Sequence, residues 1–161
     1  MKTSKVKLDY MPNVNFQIVG ISTSEIDYKL AFGLVRGFGM DFYLLPCIEV
    51  EREQQQTMSL FDNVAQQEPN TYSVYGNAID SFRKSDLLLI SNRHNGICLI
   101  DEFHNFDYLF IVRDYSSFGL DRAMTALRSM DCITGAYLLP FENIKSKKSI
   151  YDLWDSLQNR Q

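Results

Sequence analysis

The 161-residue chain predicts an α+β domain in which a mainly antiparallel sheet carries helices on one face. Three observations predict it. A strand, helix, strand pattern occurs once near each end of the chain. Between the two lie short strand-like runs joined by turn residues. The helices are also too few to supply the crossovers of a purely parallel sheet. The specific expectation is a ferredoxin-like sandwich, built from two β-α-β units and enlarged by a meander and a C-terminal helix.

Each element follows from local pattern. Val14, Phe16 and Ile18 alternate with polar neighbours, which predicts a strand over residues 14–22. Ser24 is placed to cap the helix that follows, Asp27 stands three residues on to return the bond, and Ile26, Leu30, Leu34 and Phe38 form its apolar stripe. Asp27 falls on the apolar side by period, and its position beside the positive end of the helix dipole accounts for it. Gly37 and Gly39 end the helix. Phe42 to Val50 reads as a second strand, with Pro46 marking an edge or a bulge.

From residue 51 to residue 70 the chain turns polar and glutamine-rich, longer than most passive connections. Thr71 to Tyr75 and Asp86 to Ser91 are strand-like; Asn92 to Gly96 supplies turn chemistry before Ile97 to Asp101, so a meander is expected. Phe106 to Arg113, with four consecutive apolar residues from Leu109 to Val112, predicts a central strand covered on both faces. Ser116 and Ser117 offer caps to a helix carrying Leu120, Ala123, Met124 and Leu127, and Ile133 to Leu139 completes the second unit. Ile150, Leu153, Trp154 and Leu157 stand at helical spacing on a terminal helix, expected to dock on its own domain, with pairing to a second copy as the alternative.

Hydrophobic residues make up 45% of the chain and charged residues 22%, which fits one globular domain over residues 1–161 with a frayed tail at 1–9. The net charge of −4 gives no general attraction to nucleic acid or to an anionic membrane. No apolar run follows Met1 to Lys5 and no stretch is long enough to span a bilayer, so a cytoplasmic location is expected. Cys47, Cys98 and Cys132 are odd in number, widely spaced and in strand-like apolar segments, as reduced, buried thiols are.

The run Ile100-Asp101-Glu102-Phe103-His104-Asn105-Phe106-Asp107-Tyr108 resembles the signature of a bacterial family named for the run Ile-Pro-Glu-x-x-x-Val-Asp-Tyr, the IPExxxVDY family. Ile100, Glu102, Asp107 and Tyr108 match it; Asp101 stands where the family has proline and Phe106 where it has valine. Asp27-Tyr28-Lys29-Leu30-Ala31 is similar to the family's first helix and Lys145-Ser146-Lys147 to its C-terminal basic stretch. The resemblance implies a cytoplasmic bacterial protein of unknown function and carries no catalytic residue with it.

Two readings of Glu102 and Asp107 follow. In the first they serve the fold, accepting backbone N–H bonds or pairing with Arg93 or Arg113; in the second they form a small acidic pocket for a cation or a basic ligand group. Two carboxylates on a turn are too few for a selective calcium cage. Tyr108, opening an apolar strand, reads as a core residue with a satisfied hydroxyl. His94, Cys98 and His104 surround one predicted hairpin, but their spacing matches no zinc pattern, and no nucleophile elbow surrounds Cys98. Gly33, Gly37 and Gly39 lie within and after a helix, so they form no phosphate loop. No metal or cofactor is expected.

Two places offer contacts to a partner. Met58, Leu60 and Phe61 form an apolar cluster in the polar loop, where Gln55 to Phe61 resembles the spacing of sliding-clamp-binding peptides. Trp154 offers another on the terminal helix. The expected function is a non-catalytic protein-interaction or regulatory domain with an unidentified protein partner, possible homodimerisation included. The alternative is a small-molecule-binding domain or enzyme using the acidic hairpin around Glu102 and Asp107.

Overall fold

A computed structural model describes residues 16–50, 69–77, 85–113, 119–140, 145, 150, 151 and 155. The strands are β1 (Phe16–Ser22), β2 (Tyr43–Val50), β3 (Asn70–Gly76), β4 (Leu87–Ser91), β5 (Arg93–His94), β6 (Ile97–Cys98), β7 (Tyr108–Arg113) and β8 (Gly135–Leu139). The helices are α1 (Asp27–Phe38) and α2 (Leu120–Arg128), with a 3-10 turn at Asp101–Phe103. The fold is α+β. Six strands form one sheet in the order β2-β3-β4-β7-β1-β8, every neighbouring pair antiparallel, and β5 and β6 form a small separate hairpin.

This order makes β1 and β2, joined through α1, run in the same direction with β7, β4 and β3 between them. Likewise β7 and β8, joined through α2, run in parallel on either side of β1. Both helices lie on the same face. Leu30, Ala31, Leu34 and Phe38 of α1 and Ala123 and Leu127 of α2 pack against Val19, Ile21, Leu87, Leu89, Phe110 and Val112. The intervening residues Phe16, Ile18, Leu88, Ile90, Leu109 and Ile111 point the other way and form a second core with Ile100, Phe103, Leu139 and Ile150. Alternation along each strand thus feeds two cores.

The centre of the sheet is β7, whose first five residues are all buried, as expected of a strand covered on both faces. Phe110 is fully buried, sits in register between Val19 and Leu89, and meets the ring of Phe38 at 5.4 Å and that of Phe42 at 6.3 Å. At the edge, β2 breaks register between Leu45 and Ile48, around Pro46, so the proline marks an edge strand and a bulge together. Asn95 and Gly96 both have positive φ, 49° and 80°, which is the turn that a two-residue hairpin requires between β5 and β6.

Several local expectations are corrected. Helix α1 starts at Asp27 with Ile26 at its N-cap and no side-chain cap; the bond that Ser24 was expected to make is absent. The hydroxyl of Thr23 instead accepts the N–H of Glu25, and Asp27 Oδ1 accepts the N–H of Tyr28 at 2.7 Å rather than reaching back. Ile26 is 49% exposed, because a residue at the N-cap lies beyond the buried stripe. At the C-terminus Gly37 stays inside the helix, and Gly39 alone ends it as expected: at φ 66° it donates its N–H to the carbonyl of Val35.

The strand expected over Ile97 to Asp101 stops at Cys98 and gives way to the 3-10 turn. Helix α2 starts after Gly119, at φ 70°, with no side-chain cap; Ser116 and Ser117 lie outside the described residues. Cys132 lies in the turn before β8 rather than in a strand, and all three thiols are free and only half-buried. Of the terminal helix, Ile150 and Tyr151 are helical and dock on the second core, where Tyr151 meets Phe16 edge to face at 5.2 Å. The tail at 1–9, Met58, Leu60, Phe61 and Trp154 all lie outside the described residues.

Truncating the central ring tests this layering. Phe110→Ala is expected to cost about 3–5 kcal/mol of unfolding free energy, read by chemical denaturation, because it opens a cavity that the flanking strands cannot close.

Candidate functional site

Residues 99–107 lie at one end of the sheet, where β1 ends, β7 begins and α1 starts. The segment leaves the β5–β6 hairpin, turns through Asp101–Phe103, and delivers Asp107 and Tyr108 to β7. From Ile100 to Phe106 its backbone pairs with no strand, so its buried polar groups need other partners. Asn92 supplies them.

Asn92 follows β4 and has no exposed surface. Its amide nitrogen donates to the carbonyls of Phe103 at 2.9 Å and Phe106 at 3.0 Å, and its amide oxygen accepts the N–H of Ile100 at 3.0 Å. Its own backbone N–H donates to the carbonyl of Asp107 and its carbonyl accepts from Leu99. One side chain therefore ties three points of the segment together, while Ile100 and Phe103 enter the second core. Read in sequence, Asn92 is ordinary turn chemistry; its flank against an apolar strand was the one available signal.

Asp107 is the second tie. Its Oδ2 accepts the N–H of Thr23 at 3.0 Å, its Oδ1 lies 3.4 Å from Arg93 Nε, and its N–H donates to the carbonyl of Ile21. The ion pair is partly exposed on both sides and contributes about 1 kcal/mol or less; the backbone bonds fix the strand junction. Arg93 also donates to the carbonyl of His104. Arg113 pairs with Asp86 at 3.7 Å instead. Glu102 sits exposed on the 3-10 turn, and the Asp107 side chain is itself about one-third exposed.

Tyr108 is buried, and its hydroxyl donates to the carbonyl of Glu25 at 3.1 Å, joining β7 to the start of α1. Burial, reinforced by the carboxylates of Asp27 and Asp107, pushes its pKa up to about 12. The Tyr75 hydroxyl is raised chiefly by burial as well, with Asp27 adding to the effect. Both phenols stay protonated at neutral pH.

Phe106 closes the site over Gly20. A Cβ at Gly20 would come within 2.6 Å of the Phe106 ring, so this β1 position accommodates the aromatic cover only as glycine. The same ring lies 6.1 Å from Tyr137 on β8.

The other candidates are separated by the fold. Arg93 pairs with Cys98 and His94 with Ile97, so His94 and Cys98 leave the hairpin on opposite faces. The ring of His94 stands 6.1 Å from Tyr72, while His104 Nδ1 lies 3.1 Å from the carbonyl of Asp101. Among the described residues, no group of three His, Cys, Asp or Glu side chains is placed to hold a metal ion. Burial pushes the Cys132 thiol up, away from the thiolate form that a nucleophile needs. No helix among the described residues is long and apolar enough to cross a membrane.

Comparison of the chain with protein-family models, with curated proteins and with solved structures gave no match.

Two measurements check the assignments. Asn92→Ala leaves the Phe106 carbonyl and the Ile100 N–H without their partner, and the Phe103 carbonyl with only the N–H of Phe106; it is expected to cost about 2–5 kcal/mol, with faster amide exchange at Ile100 as the local signature. Tyr108 has a folded-state pKa near 12 against the ordinary 10, so its contribution to stability is complete below pH 10 and is lost as pH rises from 10 through 12. Denaturation between pH 9 and pH 12 is expected to show that decline in the wild type and a shallower one in Tyr108→Phe.

Proposed function

We propose that this chain is a non-catalytic protein-interaction or regulatory domain, working through an edge of its sheet. The observation that carries this reading is the apolar surface left at β8, where Tyr137 is 56% and Leu138 is 52% exposed, on opposite faces of the strand. Charged side chains, prolines and bulges are the usual guards of such an edge. The opposite edge, β2, has Pro46 and a bulge within the strand; β8, Gly-Ala-Tyr-Leu-Leu, has no charge and no bulge, and its proline, Pro140, follows the strand rather than interrupting it. A partner strand added at β8 gains main-chain bonds from the edge and side-chain contacts with Tyr137 and Leu138. The carboxylate of Asp107 and the hydroxyl of Tyr108, both occupied with backbone partners, support a structural role for the segment between them.

Several finer assignments belong to the same proposal. The order β8-β1-β7, with α2 crossing from β7 to β8, is the half of a ferredoxin-like sandwich, and the meander β2-β3-β4 enlarges its other half. Residues 100–108 are taken as the signature segment of the IPExxxVDY family, and the three free thiols fit a bacterial cytoplasm.

Tagged wild type and a Tyr137→Lys/Leu138→Lys variant separate the readings. Both positions are more than half exposed, so the variant is expected to stay folded, with a small drop in melting temperature from the lost Phe106–Tyr137 contact, while losing at least one protein that the wild type captures from native cells. If instead native mass spectrometry finds a small molecule that is lost from Glu102→Gln/Asp107→Asn, the acidic hairpin is the working site and the interaction reading fails.

A further inference from the structure

Helix α1 turns one face to the sheet and leaves another apolar. Tyr28 is 58% and Phe32 is 63% exposed, one turn apart, with Val35 half-buried a turn further on. Large aromatic side chains at that exposure are costly on a solitary helix surface, and a cluster of them marks an interface. The stripe has a charge pattern as well. Glu25 stands at its N-terminal end, beside Lys29, with Nζ 3.9 Å from Oε2. Arg36, exposed, stands at its C-terminal end in the last turn of the helix.

From this pattern we infer that α1 is the interface of a two-fold homodimer in which the helices of two copies pack antiparallel, centred on Phe32. The charge order selects both the occupant and its direction. Parallel packing brings Glu25 to Glu25 and Arg36 to Arg36, which repel. Antiparallel packing about Phe32 lays Arg36 of one copy over the Tyr28 ring of the other and within a turn of its Glu25, twice by symmetry. The apolar centre and oppositely charged ends are thus self-complementary. Phe32 lies near the middle of the helix, Asp27–Phe38, so the two helices overlap along their full length. The face is separate from β8, so the dimer stands or falls independently of what the sheet edge binds.

Sedimentation of the full chain over a range of concentrations is expected to show a monomer–dimer equilibrium. Phe32→Ser is expected to weaken it by about tenfold or more, as is Arg36→Glu or Glu25→Arg alone. The double variant Glu25→Arg/Arg36→Glu restores the opposite charges in reversed order and is expected to recover most of the affinity. These side chains are at or near the surface, and a thermal melt of each variant checks that the fold is kept. A monomer at every concentration overturns the inference, whether the face is then free or taken by another protein. So does a dimer indifferent to Phe32→Ser, which would place the contact elsewhere, or a double variant no better than either single one.

Discussion

The amide of Asn92 is the interaction on which the rest of this end of the molecule depends. A segment that leaves the sheet, turns once and re-enters it has to bury backbone groups that no strand can pair. Only a side chain with donors and an acceptor on one planar group can satisfy two carbonyls and an N–H from a single position. A carboxylate offers no donor, and an alcohol offers one. Asn92 meets that need where no water reaches it, and by doing so lets Ile100 and Phe103 enter the second core. Without it the burial of those two side chains has to be set against two orphaned polar groups, the N–H of Ile100 and the carbonyl of Phe106, while the carbonyl of Phe103 keeps the N–H of Phe106.

From there the order is handed on through the backbone. Asp107 holds the N–H of Thr23, and the hydroxyl of Thr23 in turn bonds the carbonyl of Cys132 and the N–H of Glu25. Thr134 bonds the carbonyl of Ser22 through both its N–H and its hydroxyl, and Tyr108 reaches the carbonyl of Glu25. The last turn of β1 is therefore a junction joining β7, the entry to α1 and the entry to β8. Carboxylates and hydroxyls in a junction of this kind are spent on geometry. The carboxylate of Asp107 and the hydroxyls of Thr23, Thr134 and Tyr108 are all held there by backbone partners.

Patterns that depend on near neighbours were legible in the sequence. The apolar run of β7, the stripe Leu30, Leu34 and Phe38, the break at Pro46 and the Asn95-Gly96 turn all arise within a few residues of themselves. What depends on distant partners was not. Thr23 rather than Ser24 organises the entry to α1 because Cys132 and Asp107, 109 and 84 residues away, fix it in place. The strand after Gly96 stops at Cys98 because Asn92 takes the N–H of Ile100 out of any ladder. Of the candidate site, Asp107 with its ion-pair partner Arg93 could be named, but the backbone partners of Asp107 and Tyr108 could not, and Asn92 was seen only as a turn residue. The placement of β2 at the far edge, three strands from β1, leaves no local mark at all.

Asp101 and Phe106 each fit their place in residues 100–108 through the same local geometry. Asp101 opens the 3-10 turn, where proline is favoured because the first position of a helix needs its φ and leaves its N–H unused. Aspartate lacks the ring but places a negative charge at the positive end of the same turn, and its carbonyl accepts the N–H of His104, so the turn is stabilised by another route. Phe106 lays its ring directly over β1. Gly20 beneath it removes the Cβ that the ring displaces, and Tyr137 flanks the ring on the next strand. The larger residue on one strand and the absent side chain on the other are complementary, so a change at either position has consequences that depend on the other.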